Sequence, residues 1–167
     1  MNDEAFITAG LKHYAEAATT VEQFEHSLHD LIGEVLSKLP QHRGFRLEKE
    51  DRKVKLHRWS AHGVCWLWGD VKGTLPTGES SRFVLGLCWL KKRCLVAAGH
   101  EDCAPWAASE LVPDAKTGVE KSPDSDHFVK EVTTASELEK ALPVVLSALL
   151  EATVAQAPAK GTARGPK

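Results

Sequence analysis

No stretch of this chain is apolar for long enough to cross a bilayer. Its longest unbroken apolar run, Phe83 to Leu90, is eight residues, against the roughly 20 that a spanning helix needs. Net charge is nearly absent too: 21 Lys and Arg stand against 23 Asp and Glu, a formal charge of −2. That balance excludes a general electrostatic pull toward nucleic acid or anionic membrane. The first residues, MNDEAF, hold no basic region ahead of an apolar one, so a secretory signal is not expected. Cysteine is sparse, with Cys65, Cys88, Cys94 and Cys103 in or beside strand-like text, and free thiols in a cytoplasmic protein are expected. Neither G-x-S-x-G nor H-E-x-x-H occurs, and there is no internal repeat. The stretch GTLPTGES, residues 73–80, matches Walker spacing but carries Glu79 where the phosphate-binding lysine belongs, so it implies no nucleotide cofactor.

What is present is a clear alternation of periods. Ile7, Leu11, Tyr14 and Ala18 mark a first helix. Thr19 with Glu22, or Thr20 with Gln23, makes a capping-box pattern that predicts a break before a second helix. In that helix Val21, Phe24, Leu28, Leu31, Ile32, Val35, Leu36 and Leu39 form one broad apolar face, ended by Pro40. From Phe45 the period falls to two. FRLEKE and KVKLHRWS read as a hairpin turning at Asp51 and Arg52, with Phe45, Leu47, Val54 and Leu56 inward. VCWLWGDVK, RFVLGLCWL and CLVAAG follow as three more strands on short links, which favour an antiparallel meander.

Residues 101–126 read as an acidic surface excursion, with a helical turn near Trp106 to Leu111. HFVKEV is a candidate sixth, edge strand. Thr134 and Glu137 cap a last helix with Leu138, Leu142, Val145, Leu149 and Ala152 on its apolar face and Pro143 inside it. One-sided helices need an apolar surface, and alternating strands supply one. The expected fold class is therefore α+β: a two-layer sandwich with an antiparallel meander sheet of five to six strands, and the N-terminal helices and a C-terminal helix on one face. Residues 1–156 form a single domain in this reading, and 157–167 a disordered basic tail.

Charge is segregated along the chain. Residues 1–39 hold seven acids and two lysines, residues 43–58 hold seven Lys or Arg and three acids, and residues 101–126 hold seven acids and two lysines. On the basic stretch, alternation places Lys53, Lys55, His57 and Trp59 together on the outer face, with Arg46 on the preceding strand. Basic residues interleaved with an aromatic can track phosphates and stack bases, or dock an acidic protein surface. Trp66 and Trp68 share one face of the next strand, and if that face is not covered by helices it marks an interface. The leading expectation is a small non-catalytic binding protein, of adaptor or immunity-inhibitor type, that engages a protein partner. Nucleic-acid contact through 43–58 and a homodimer are the other partner classes.

Two catalytic or metal sets compete with that reading. Asp70-Val71-Lys72 puts an acid and a lysine on one strand face, as PD-(D/E)xK nucleases do, with Asp51 and Glu34 as further carboxylates. No Pro-Asp precedes it, however, and no helix directly follows. Cys88, Cys94, His100 and Cys103 are the best zinc candidates, although only His100 and Cys103 form a close pair. His26 and His29, three apart on a helix, lie opposite its apolar face and read as solvated.

Overall fold

The computed structural model describes residues 3–38, 46–47, 56–61, 64–76, 78–90, 93–101, 111–123 and 125–156. Helix α1 spans Asp3–Lys38. Strands β1 (Arg46–Leu47), β2 (Leu56–Ala61), β3 (Val64–Thr74), β4 (Ser80–Leu90) and β5 (Arg93–His100) follow. A short 3-10 turn at Ala115–Thr117 precedes β6 (Glu120–Lys121), β7 (Phe128–Val132) and helix α2 (Ala135–Gln156). No helix among the described residues is long and apolar enough to cross a membrane.

All pairings are antiparallel, and the sheet runs β1-β3-β4-β5-β7-β6, with β2 also on β3. The meander expected from the short links holds from β2 to β5. The strand after the acidic excursion, β7, then docks on β5, and the two-residue β6 covers its outer side. The α+β class, with helices at both ends of an antiparallel sheet, is as expected.

Three local expectations change. The N-terminal helices are one helix of 36 residues, ~54 Å long at 1.5 Å per residue. Thr19 and Thr20 do not cap a new helix. Their hydroxyls donate to Ala15 O and Glu16 O, both at 3.0 Å, which satisfies them inside a continuous helix. The basic hairpin over 43–58 is also corrected. Leu47 pairs with Gly73 and Leu56 with Gly69, so β1 and β2 lie end to end along the same edge of β3. Residues 70–72 of β3 separate the two ladders. The predicted turn at Asp51 and Arg52 lies outside the described residues, as do most of the predicted turn at 106–111 and the whole basic tail. Third, β7 is not the edge, because β6 lies outside it.

The core follows from alternation. Leu67 and Val71 of β3, Phe83, Leu85 and Leu87 of β4, Val96 and Ala98 of β5, and Phe128 and Val132 of β7 are buried on one side of the sheet. Against them pack Leu142, Val145, Leu146 and Leu149 of α2, and Leu28, Ile32 and Leu36 from the C-terminal part of α1. Leu56 joins this side, as its expected inward orientation required. Helix α2 runs unbroken through Pro143. It starts at the expected cap: Glu137 N–H donates to Thr134 Oγ1 at 3.2 Å, and the Glu137 carboxylate accepts from the Thr133 N–H at 2.7 Å. These bonds hold the Glu137 carboxyl below its ordinary range.

Candidate functional site

Because the side-chain period of a strand is two, burying Leu67 and Val71 under the helices commits Trp66, Trp68, Asp70 and Lys72 to the opposite face, away from α1 and α2. Register then assembles the neighbours. Trp59 lies directly across from Trp66, and His57 across from Trp68, where the two rings stack with centroids 5.6 Å apart. On the other side of β3, Trp68 faces Gly86 and Asp70 faces Val84.

The glycines make this face concave. A Cβ at Gly86 would sit 2.5 Å from Trp68 Cα and 2.8 Å from Trp68 Cβ, and one at Gly99 would sit 2.5 Å from the His127 ring. Removing those two Cβ atoms lets large rings lie close to the sheet. The His127 ring reaches over Gly99 and meets Trp66 at 5.1 Å. A cavity of about 320 Å³ results, lined by Trp59, Trp66, Trp68, Val84 and His127, with His100 and Glu101 at the strand end. Trp59, 51% exposed, stands at its margin. Beyond Trp66 the same face continues as a buried apolar patch of Cys88, Leu95, Ala97 and Val129.

The polar groups around this cavity are paired or neutral. His57 Nε2 lies 3.2 Å from Asp70 Oδ2, and Arg82 Nε lies 3.2 Å from Glu101 Oε2. The other Asp70 oxygen, Oδ1, is buried without a partner among the described residues. Burial holds the His127 imidazole below its ordinary range, with Asp126 acting against the shift. His127 Nδ1 lies 2.8 Å from Ser125 Oγ, a local turn bond. His100 projects to the helix side, and burial pushes it down to about 4. Its Nε2 lies 2.9 Å from Thr153 Oγ1, which donates its own proton to Leu149 O. Nε2 is therefore the donor of the pair and His100 is neutral.

The nuclease set does not come together. Asp70 and Lys72 share the open face as their spacing requires, but Glu34 is on α1, on the far side of the sheet. Asp51 lies outside the described residues. Lys72 stands directly across from Arg82, so its cross-strand neighbour is another cation, not a metal-binding carboxylate. The zinc set is divided as well: Cys88 is on the open face, while Cys94 and His100 are on the helix face at opposite ends of β5. Cys103 lies outside the described residues. Among the described residues no three His, Cys, Asp or Glu side chains are grouped to hold a metal. Cys65, Cys88 and Cys94 are free thiols, and burial, with Cys94 and Cys65 adding to it, pushes Cys88 up to about 11. A thiol held protonated in this way is a poor ligand and a poor nucleophile.

Of the expected binding residues, His57, Trp59, Trp66 and Trp68 are gathered at the cavity. Arg46, exposed and paired in register with Thr74, lies on the same face further along β3. Lys53 and Lys55 lie outside the described residues. Arg58 faces the helices instead, 3.3 Å from Glu25 of α1. Sequence reasoning missed Val84, Gly86, Gly99, Glu101 and His127. Glycines inside two otherwise apolar strands were the available signal, since a strand glycine marks a close approach. Comparison with protein-family models, curated proteins and solved structures finds no match to this chain.

Proposed function

We propose that this is a non-catalytic cytoplasmic binding protein that takes a segment of a protein partner into the tryptophan-lined cavity of its open sheet face. One observation carries this reading: three indoles, Trp59, Trp66 and Trp68, surround about 320 Å³ on the face opposite the two described helices. Tryptophan is the residue most enriched among the side chains that dominate binding energy. The indole faces also accept apolar and cationic groups alike. The space holds one or two side chains, near the lower end of the volumes typical of ligand sites. His57 and Asp70 beside it, and the Arg82–Glu101 pair at the strand ends, supply a polar rim of both signs that can fix the orientation of a bound segment.

The deciding experiment compares affinity capture by the wild-type chain and by a Trp59→Ala/Trp68→Ala variant. A partner retained by the first and lost by the second, which also shields tryptophan fluorescence from iodide when reconstituted, supports the proposal. Identical captured sets overturn it. Cleavage of nucleic acid with Mg²⁺ or Mn²⁺ that disappears in Asp70→Ala would replace it with a catalytic function.

A further inference from the structure

Joining the two N-terminal helices has a consequence at the far end of α1. Ile7, Leu11, Tyr14, Ala18, Val21, Leu28, Ile32 and Val35 fall on one seam with alternating steps of four and three, interrupted only at Glu25. That is the a/d repeat of a helix that packs against another helix. The C-terminal part of the seam is covered by the molecule's own sheet, with Leu28 and Ile32 buried. Over the N-terminal part every residue from Glu4 to Phe24 is exposed, including Ile7 at 59%, Leu11 at 84% and Tyr14 at 76%, and only at its end does Phe24 meet Trp89 of β4 among the described residues. Six turns of helix with an apolar seam do not stand alone in water at low cost, because isolated helices of this length are marginal.

We propose that the seam is closed by the same seam of a second copy of this chain, with the two α1 helices antiparallel and centred near Tyr14. The direction follows from where each body sits. The sheet lies on the seam side of α1 from Leu28 onward. A parallel partner would have to run through that sheet. An antiparallel partner overlays residues 4–24 on residues 4–24 and puts the two bodies at opposite ends. This arrangement sets Leu11 and Tyr14 of each copy against the other, and Ile7 beside the Ala18–Val21 stretch.

Charge and area both favour a copy as the occupant. Positions flanking the seam over this stretch are Thr8, Gly10, Ala15, Ala17, Glu22 and Phe24, of which Glu22 is the one charged residue. The four small residues let two backbones approach, and an antiparallel pair centred near Tyr14 sets each Glu22 opposite residue 6 and far from the other Glu22, so no like charges meet. On the seam itself Ile7, Leu11, Tyr14 and Val21 are all 42% or more exposed. A large apolar side chain offers ~150–250 Å², so the seam presents on the order of 500 Å², more than half of the ~800 Å² per partner of a standard interface.

Light scattering after size exclusion, over 1–100 µM full-length chain, tests the proposal. The expected result is twice the chain mass for the wild type, and a monomer at the same concentrations for Leu11→Glu/Tyr14→Glu. That corresponds to at least a 100-fold weaker dimer. Both altered side chains are exposed, so the sheet and α2 should stay folded with unchanged tryptophan emission, while far-UV circular dichroism loses only the helix signal of the unpaired N-terminal part of α1. A wild-type monomer at 100 µM, or a dimer that survives the double substitution, overturns the proposal. Orientation is read by mixing Ile7→Cys chains with Ala18→Cys or Val21→Cys chains under oxidation. Disulfides between the two kinds of chain support the antiparallel pairing, and faster linkage of Ile7→Cys to itself overturns it. Trp59→Ala/Trp68→Ala leaves the dimer intact, so this proposal and the cavity proposal fail separately.

Discussion

Acidification from pH 7 to pH 5 should weaken this fold through one residue above all. His100 joins the sheet to α2 through its 2.9 Å contact with Thr153, and burial holds its pKa near 4 instead of the ordinary 6.5. Between those values the unfolded chain binds a proton at this site and the folded chain does not, so stability falls as pH falls. The full effect is reached below pH 4. At pH 5 the difference in protonation amounts to about 2 kcal/mol, which is a large fraction of a typical domain's margin. His127, also held low by burial, acts in the same direction. Glu131 and Glu137 do not confound the window, because their unfolded pKa lies near 4.5 and their folded values lie lower still. Urea unfolding followed by far-UV circular dichroism at pH 7, 6 and 5 measures the slope. His100→Asn keeps a donor for Thr153 without a titrating ring and should retain only the His127 part of the slope. A wild type equally stable at pH 7 and pH 5, or a variant that loses as much as the wild type, would refute the reasoning.

Gly86→Ala puts a methyl group within 2.8 Å of Trp68 Cβ and closer still to the β3 backbone. It should cost about 1–3 kcal/mol, or more if the strands must part. A matching blue or red shift of tryptophan emission checks that the loss arises at Trp68. Leu149→Ala empties a fully buried position where α2 meets the sheet and should cost about 2–5 kcal/mol by urea denaturation, the most of these substitutions. Thr134→Ala removes the cap of α2 and should cost about 1 kcal/mol, detectable as a lower melting temperature without loss of secondary structure. Trp59→Ala removes a half-exposed side chain and should change stability by under about 0.5 kcal/mol while it opens the cavity, visible as increased iodide quenching of the remaining tryptophans.

Where the chain advertises its structure by period, sequence reasoning located the elements. The i, i+3, i+4 spacing of Leu138, Leu142, Val145, Leu149 and Ala152 is the buried face of α2, and its Thr134–Glu137 cap sits at the helix start. Where a local signal had two physical outlets, reasoning chose the wrong one. A threonine beside a helix start can cap it, but its hydroxyl is equally satisfied by the carbonyl four residues back, and here Thr19 and Thr20 make that bond inside a continuous helix. β1 and β2 read as the two arms of one hairpin only while β3 is ignored. A long strand with a free edge takes up β1 and β2 in succession, because each gains a ladder from it.

The sequence alone determined that the strand carrying Trp66, Trp68, Asp70 and Lys72 presents them together. Alternation is a property of the backbone and needs no partner. It also determined that helices would cover one face of the sheet, since each helix is apolar on one side only and needs an apolar surface to cover it. Which face they cover was decided by the tertiary structure, because β3 and β4 are apolar on both sides and only the packing of Leu67, Val71 and Phe83 against α1 and α2 breaks the tie. The same packing drew His127, Gly86 and Gly99 from three separate segments to the tryptophans. No local pattern can encode that convergence, because it depends on the register of strands distant in the chain.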